Sequence, residues 1–236
     1  MNKAFILLLG GLALSAVNAS ASITFVQSLS SLNANDQFDW GQFSVGNLGS
    51  PLVGISDNGV DLTASNNDQF SIYEQGGALP YDWAGNFSPG DFVLAQNIGD
   101  IGTVSQPVTL TFGAGIYSAG FQVEPAYYGN FIVQLAVYDT SNVLLGTQTF
   151  NGYSANSGDG SAIFIGAVDN TPNIGQLVVN VVSEDGNNAP INGLGIDTLH
   201  VGEAPPDVGQ VPEPASATLL LTGFAGLVLF RRLRRS

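Results

Sequence analysis

Cysteine is absent, and basic side chains are nearly so: 236 residues hold five Lys and Arg together and a single His. No cysteine means no disulfide, no thiol nucleophile, no thiol redox couple and no Cys-ligated zinc. The five basic residues are Lys3, Arg231, Arg232, Arg234 and Arg235, so none falls between residues 22 and 210. That long middle segment carries 18 of the 19 acidic residues, Glu213 being the other. A surface of this kind excludes nucleic acid, whose phosphates need a basic partner, and direct electrostatic attachment to anionic lipid. Its carboxylates must be solvated, hydrogen-bonded or bound to cations, because no Lys or Arg salt bridge is available to them.

Long apolar runs occur only at the two ends. After Lys3 comes an apolar stretch over 4–16, then Ala19-Ser20-Ala21, which fits the small-x-small rule of an export signal. Cleavage is expected after Ala21, leaving Ser22 as the new N-terminus; the apolar part is too short for a lasting anchor. At the other end Val211-Pro212-Glu213-Pro214 precedes sixteen uncharged residues, 215–230, and then Arg231, Arg232, Arg234 and Arg235. The two prolines favour extended backbone, so a helix starts after them. At 1.5 Å per residue it would be roughly 24 Å long, a little short of a hydrocarbon core that snorkelling Arg side chains help to match. The Arg cluster is expected to stay on the cytoplasmic side.

Pro-Glu-Pro, an apolar helix and a terminal Arg cluster, in that order, resemble the PEP-CTERM sorting signal of Gram-negative bacteria. The resemblance implies an inner-membrane precursor, recognition of the tail by an exosortase, and transfer to the cell surface or the extracellular matrix. The organisation expected is therefore an export signal over 1–21, an ectodomain over 22–202, a Pro-containing linker over 203–210 and the sorting tail over 211–236, with its transmembrane helix at 215–230.

The ectodomain shows no 3.6-residue periodicity. Short β-branched and aromatic runs alternate with Gly, Asn, Asp, Ser and Pro clusters, which reads as an all-β sandwich or barrel. Strands are expected near 22–26, 39–45, 61–64, 70–75, 92–96, 108–112, 117–124, 131–138, 143–150, 161–168, 174–182 and 193–201. The alternation at Phe131, Val133, Leu135 and Val137, followed by Asp139-Thr140-Ser141-Asn142, predicts a hairpin. The succession Gly90-Asp91-Phe92, 108–112, Ala119-Gly120-Phe121-Gln122-Val123, 139–146, Ser161-Ala162-Ile163-Phe164-Ile165-Gly166 and 191–201 resembles, over about 92–201, the ectodomain of one group of PEP-CTERM proteins. That implies a jelly-roll-like β-sandwich similar to carbohydrate-binding modules and galactose-binding-like domains, and it brings no catalytic residues.

Candidate sites follow from residue chemistry. His200 is the lone imidazole, and no Gly-x-Ser-x-Gly elbow supplies it with a nucleophile. Glu74 and Glu124 each end an apolar strand and are the acids a glycosidase would need to bring together across a cleft. A structural calcium ion would take oxygen ligands from irregular loops. Asp57 and Asp61 flank a Gly turn, and Asp197 interrupts an apolar strand, so these three are the expected metal ligands. Tyr81 and Trp83 lie in a Gly/Pro-rich loop and Tyr127 and Tyr128 in another; aromatic faces beside Asp and Asn suit sugar stacking. Three readings stay open: a non-enzymatic surface or matrix protein associated with polysaccharide, a secreted carboxylate hydrolase, and a purely structural or adhesive sandwich.

Overall fold

The computed structural model describes residues 23–96, 106–185 and 193–204. The cleavage site at Ala21 and Ser22, the sorting residues Val211 to Pro214, the helix expected over 215–230 and the terminal Arg cluster lie outside the described residues. Among the described residues no helix is long and apolar enough to cross a membrane.

Those residues form sixteen strands and two short 3-10 turns. The first half of the chain gives β1 (Thr24–Val26), β2 (Asp36–Phe38), β3 (Gly46–Leu48), β4 (Leu52–Ile55), β5 (Asp61–Ser65), β6 (Phe70–Gln75), β7 (Asp82–Trp83) and β8 (Phe92–Gln96). The second half gives β9 (Val108–Ile116), β10 (Ser118–Pro125), β11 (Gly129–Asp139), β12 (Leu144–Ser154), β13 (Ile163–Val168), β14 (Ile174–Glu184), β15 (Leu194–Ile196) and β16 (Leu199–Gly202). They make two sheets. One runs β12-β11-β14-β9-β5-β4; the other runs β1-β13-β10-β15-β8-β6-β3, with β16 and β2 joined beside β10 and β7 beside β6. The all-β sandwich expected from the sequence is the observed architecture.

Period-two alternation explains how the layers close. Val133, Leu135 and Val137 of β11, Leu177, Val179 and Val181 of β14, and Leu110 of β9 point into the space between the sheets, where they meet Phe70, Ile72, Leu94 and Phe121 of the other sheet. β6 and β8 are buried on both faces. Ile72 and Leu94 belong to the central core, while their neighbours Tyr73, Val93 and Ala95 join Trp83, Phe87 and Ala162 in a second apolar cluster. The loop from Tyr81 to Phe87 is thus a lid over the outer face of the second sheet.

The β11–β12 hairpin forms as expected. Asp139 Oδ1 accepts from Ser141 N at 2.8 Å and Val143 N at 2.7 Å, and Asn142 takes the left-handed conformation at φ 63°. Replacing Asp139 with Ala leaves both amides to water. We expect a loss of about 1 kcal/mol, read as a lower urea midpoint at unchanged m-value.

Two expected strands are different. Residues 39–45 were expected to be extended; instead Trp40–Gln42 is a 3-10 turn, because Asp39 Oδ1 accepts from Gly41 N and closes the chain on itself. Residues 193–201 make two strands rather than one. β10 pairs Val123 with Ile196 but Gly120 with His200, so one extra residue is accommodated at Asp197-Thr198. Across that bulge the outer neighbour changes from β8 to β2.

Candidate functional site

Trp83 is not a sugar platform. The indole is 3 % exposed, packs at 6.0 Å between ring centroids on both Tyr73 and Phe87, and donates from Nε1 to Glu124 Oε1 at 2.6 Å. β6 and β8 need cover on their outer face, and the largest ring of the loop, expected to face solvent, supplies it instead. Tyr81 is half-buried against Tyr73, ring centroids 5.8 Å apart. Tyr127 and Tyr128 are exposed, 39 % and 46 %, and the Tyr128 hydroxyl donates to Ala84 O at 2.6 Å. The four aromatics therefore divide into two that hold the lid and two that face solvent beside it.

Glu124 is the centre of that lid. Besides the indole, its carboxylate accepts from Asn86 N at 2.9 and 3.0 Å and from Ser154 Oγ at 3.3 Å. Asn86 in turn donates from Nδ2 to Tyr153 O and Ser161 Oγ, while its Oδ1 accepts from Ala155 N. Burial pushes the Glu124 carboxyl above its ordinary value, partly offset by these donors. Gly85 is required here, since a Cβ would run into Glu124 Oε1 and Trp83 Nε1. Glu124 is 1 % exposed with both oxygens engaged, whereas Glu74 is half-buried on β6. The pair foreseen as acid and base of a hydrolase does not face a shared cleft: one of its members is a buried fastener.

The oxygen-rich turn holding Asp57 and Asp61 is organised by a residue that sequence reasoning missed. Asp36, on β2 and buried, accepts at Oδ1 from Gln37 N (2.8 Å) and Asn58 N (2.9 Å), and at Oδ2 from Ser56 Oγ. Ser56 Oγ also accepts from Val60 N. Asp57 and Asp61 are both exposed and open onto separate depressions: Asp57 with Asn33, Asn35 and His200, Asp61 with Gly113 and Glu203. Asp197 stands elsewhere, with Asp91 and Asp39 as the carboxylates that act on it. Among the described residues no three His, Cys, Asp or Glu side chains converge as metal ligands. Asp57 and Asp61, the first pair expected to hold calcium, thus open onto different depressions, and Asp197, the second candidate, stands apart from both.

Asp197 has a different distinction. It lies at the strand bulge, 8 % exposed, with Thr198 Oγ1 donating to its Oδ1 at 3.3 Å. Its carbonyl accepts from the buried Trp40 indole at 2.9 Å. Burial raises its carboxyl from 3.8 to about 6, and the nearby Asp91 and Asp39 charges push the same way. His200, half-buried with its ring 6.4 Å from Phe164, is held below its ordinary value by burial.

Along one flank of the sandwich β12, the edge of one sheet, faces β1 and the start of β13 in the other sheet across a groove in two parts. One part, about 370 Å³, is lined by Phe25, Gln27 and residues 148–151; the other, about 400 Å³, by Asn86, Ser161, Ile163 and residues 151–153. Asn151 belongs to both. Tyr153 is 58 % exposed there. Nothing in the local sequence of β12 marks this groove, because it arises where two strands more than a hundred residues apart meet.

No protein-family model matches the chain, and no curated protein matches it. Among solved structures it is similar to the module CsCBM6-3 of Clostridium stercorarium, determined in complex with cellobiose, at 13 % identity and TM-score 0.31, over 68 % of this chain and 95 % of that one. It is also similar to the enzymatically active domain of the bacteriophage CBA120 tailspike protein 4, at 14 % identity and TM-score 0.27, over 68 % of this chain and 19 % of that one. Likenesses this distant assign neither a ligand nor a reaction.

Proposed function

We propose that this is an exported, non-catalytic protein of the cell surface or extracellular matrix, whose jelly-roll-like β-sandwich associates with polysaccharide. The observation that carries the reading is the exposure of Tyr153 beside the exposed Asn151 and Ser161, on a domain free of Lys and Arg. Exposed rings beside uncharged hydrogen-bonding groups are what a sugar chain needs: apolar faces to stack on and partners for hydroxyls. The hydrolase alternative loses support because Glu124 is committed to Trp83, Asn86 and Ser154. Delivery belongs to the tail: Pro212-Glu213-Pro214 is the exosortase motif, residues 215–230 the inner-membrane helix of the precursor, and the Arg cluster its cytoplasmic stop.

One experiment addresses both halves. Cells producing the wild-type chain, or a chain with Pro212, Glu213 and Pro214 all changed to Ala, are separated into inner membrane, surface and extracellular polysaccharide. The wild type is expected with the polysaccharide, and the triple-Ala chain in the inner membrane, where its helix and Arg stop still hold it. Unchanged arrival of the triple-Ala chain would defeat the sorting role. Wild type at the surface but released without polysaccharide would leave only an adhesive or structural sandwich.

A further inference from the structure

We infer that the groove along β12, facing β1 and the start of β13, is a binding site for a neutral glycan chain. This rests on the polysaccharide reading above and names the site and the class of sugar.

The domain over 22–210 carries 18 acidic residues, yet none of them lines either part of the groove. By contrast, the depression beside His200 is lined by Asp36 and Asp57, and the one beside Gly113 by Asp61 and Glu203. A glycan bearing carboxylates or sulfates would be repelled by the surrounding acidic surface, with no Lys or Arg to compensate. An uncharged chain meets no such penalty.

Gln27, Gln148 and Asn151 are exposed amides, each offering a carbonyl and an NH2 group. Ser161 and Thr149 add exposed hydroxyls. Amides can both donate to and accept from sugar hydroxyls, which carboxylates alone cannot do. Tyr153 supplies an exposed ring at one end, and the half-buried Phe25 an apolar surface at the other, packed edge-on against Phe150. Six residues of β12, 148 to 153, run along the groove; at about 3.3 Å per residue this is roughly 17 Å, room for a chain rather than a single sugar.

Asn86 fixes the Tyr153 end by donating to Tyr153 O at 3.2 Å and Ser161 Oγ at 3.0 Å, and Asn86 is itself held by Glu124. The buried carboxylate network of the lid thus sets the wall of the groove. A preformed wall reduces the ordering cost of binding.

The test uses the full chain purified in detergent and a panel of cellohexaose, laminarihexaose, mannohexaose and polygalacturonate, with affinity measured by titration calorimetry. The variants are N151A/Y153A in the groove and Y127A/Y128A beside the lid; all four positions are exposed, and equal melting temperatures confirm folding. We expect at least one neutral hexaose to bind in preference to polygalacturonate. N151A/Y153A should weaken it by about tenfold or more, and Y127A/Y128A should change it by less than about twofold. If the wild type binds and only Y127A/Y128A loses affinity, the groove is the wrong site and the polysaccharide reading survives. Preference for polygalacturonate overturns the inferred class of sugar. No binding to any member overturns both.

Discussion

Replacing Asp197 with Asn is expected to stabilise the domain at neutral pH by about 3 kcal/mol, a gain of several degrees in melting temperature. The carboxyl sits at about 6 in the fold against an ordinary 3.8. The folded protein therefore holds that proton more tightly than the unfolded chain does. Its favourable contribution is complete below about pH 4 and is lost as pH rises through about 6. Roughly two pKa units correspond to about 3 kcal/mol, and for a domain of this size each kcal/mol is worth about 2–4 °C. Asn cannot ionise, keeps an oxygen for Thr198 Oγ1, and leaves the main-chain bond from the Trp40 indole untouched. Thermal melts of residues 22–210 from pH 3.5 to 8 check this. The wild type should be most stable on the acid side, and the two proteins should converge near pH 4. Other acids relieved of mutual repulsion slope the same way, so the difference between the proteins isolates Asp197. A calcium role for Asp197 predicts the reverse in CaCl2 at pH 7.5: the variant would then be the less stable protein, and EDTA would erase the difference.

Changing Glu124 to Ala is expected to cost about 3–5 kcal/mol, since it strands buried donors rather than merely removing a contact. Trp83 Nε1 and Asn86 N lose their acceptor, and Ser154 Oγ loses one of two. Gly85→Ala should reproduce the loss by a different route, because its new methyl occupies the space of Glu124 Oε1 and Trp83 Nε1. Gly49→Ala is the control: nothing lies within 4 Å of a Cβ there, and the change should stay within about 0.5 kcal/mol. Urea titrations followed by tryptophan emission report both effects, with Trp83 shifting to the red where the lid has opened. An E124A protein as stable as wild type would show that the lid is held by apolar packing alone.

The long strands were legible because their pattern is local. Val108 to Phe112, Phe131 to Val137 and Leu177 to Val181 alternate cleanly, and β6 and β8 begin and end where the sequence placed them. The first half was harder. β2, β3 and β4 are three or four residues each, with Gly46 and Gly54 inside the last two, too short to display a period. The lid was misread for a different reason. A Trp in a Gly/Pro-rich loop reads as exposed until its N–H finds an acceptor, and that acceptor is 41 residues away on β10. Asp36 escaped notice likewise, since its partners Ser56 and Asn58 lie 20 and 22 residues on. Only Asp197 was visible in advance as an anomaly, an acid inside an apolar strand, though the chemistry expected of it was metal binding rather than a perturbed proton.

The chain leaves the sandwich through β16, and β16 is not an edge. It is paired with β10 on one side and β2 on the other. Tension applied to the chain where β16 ends therefore loads two ladders at once instead of peeling one strand from a margin. Beyond them the force meets the Asp197 bulge, pinned through its carbonyl to the Trp40 indole. The exit point is thus placed where a mechanical load is shared across the sheet, with three residue pairs on each side of β16.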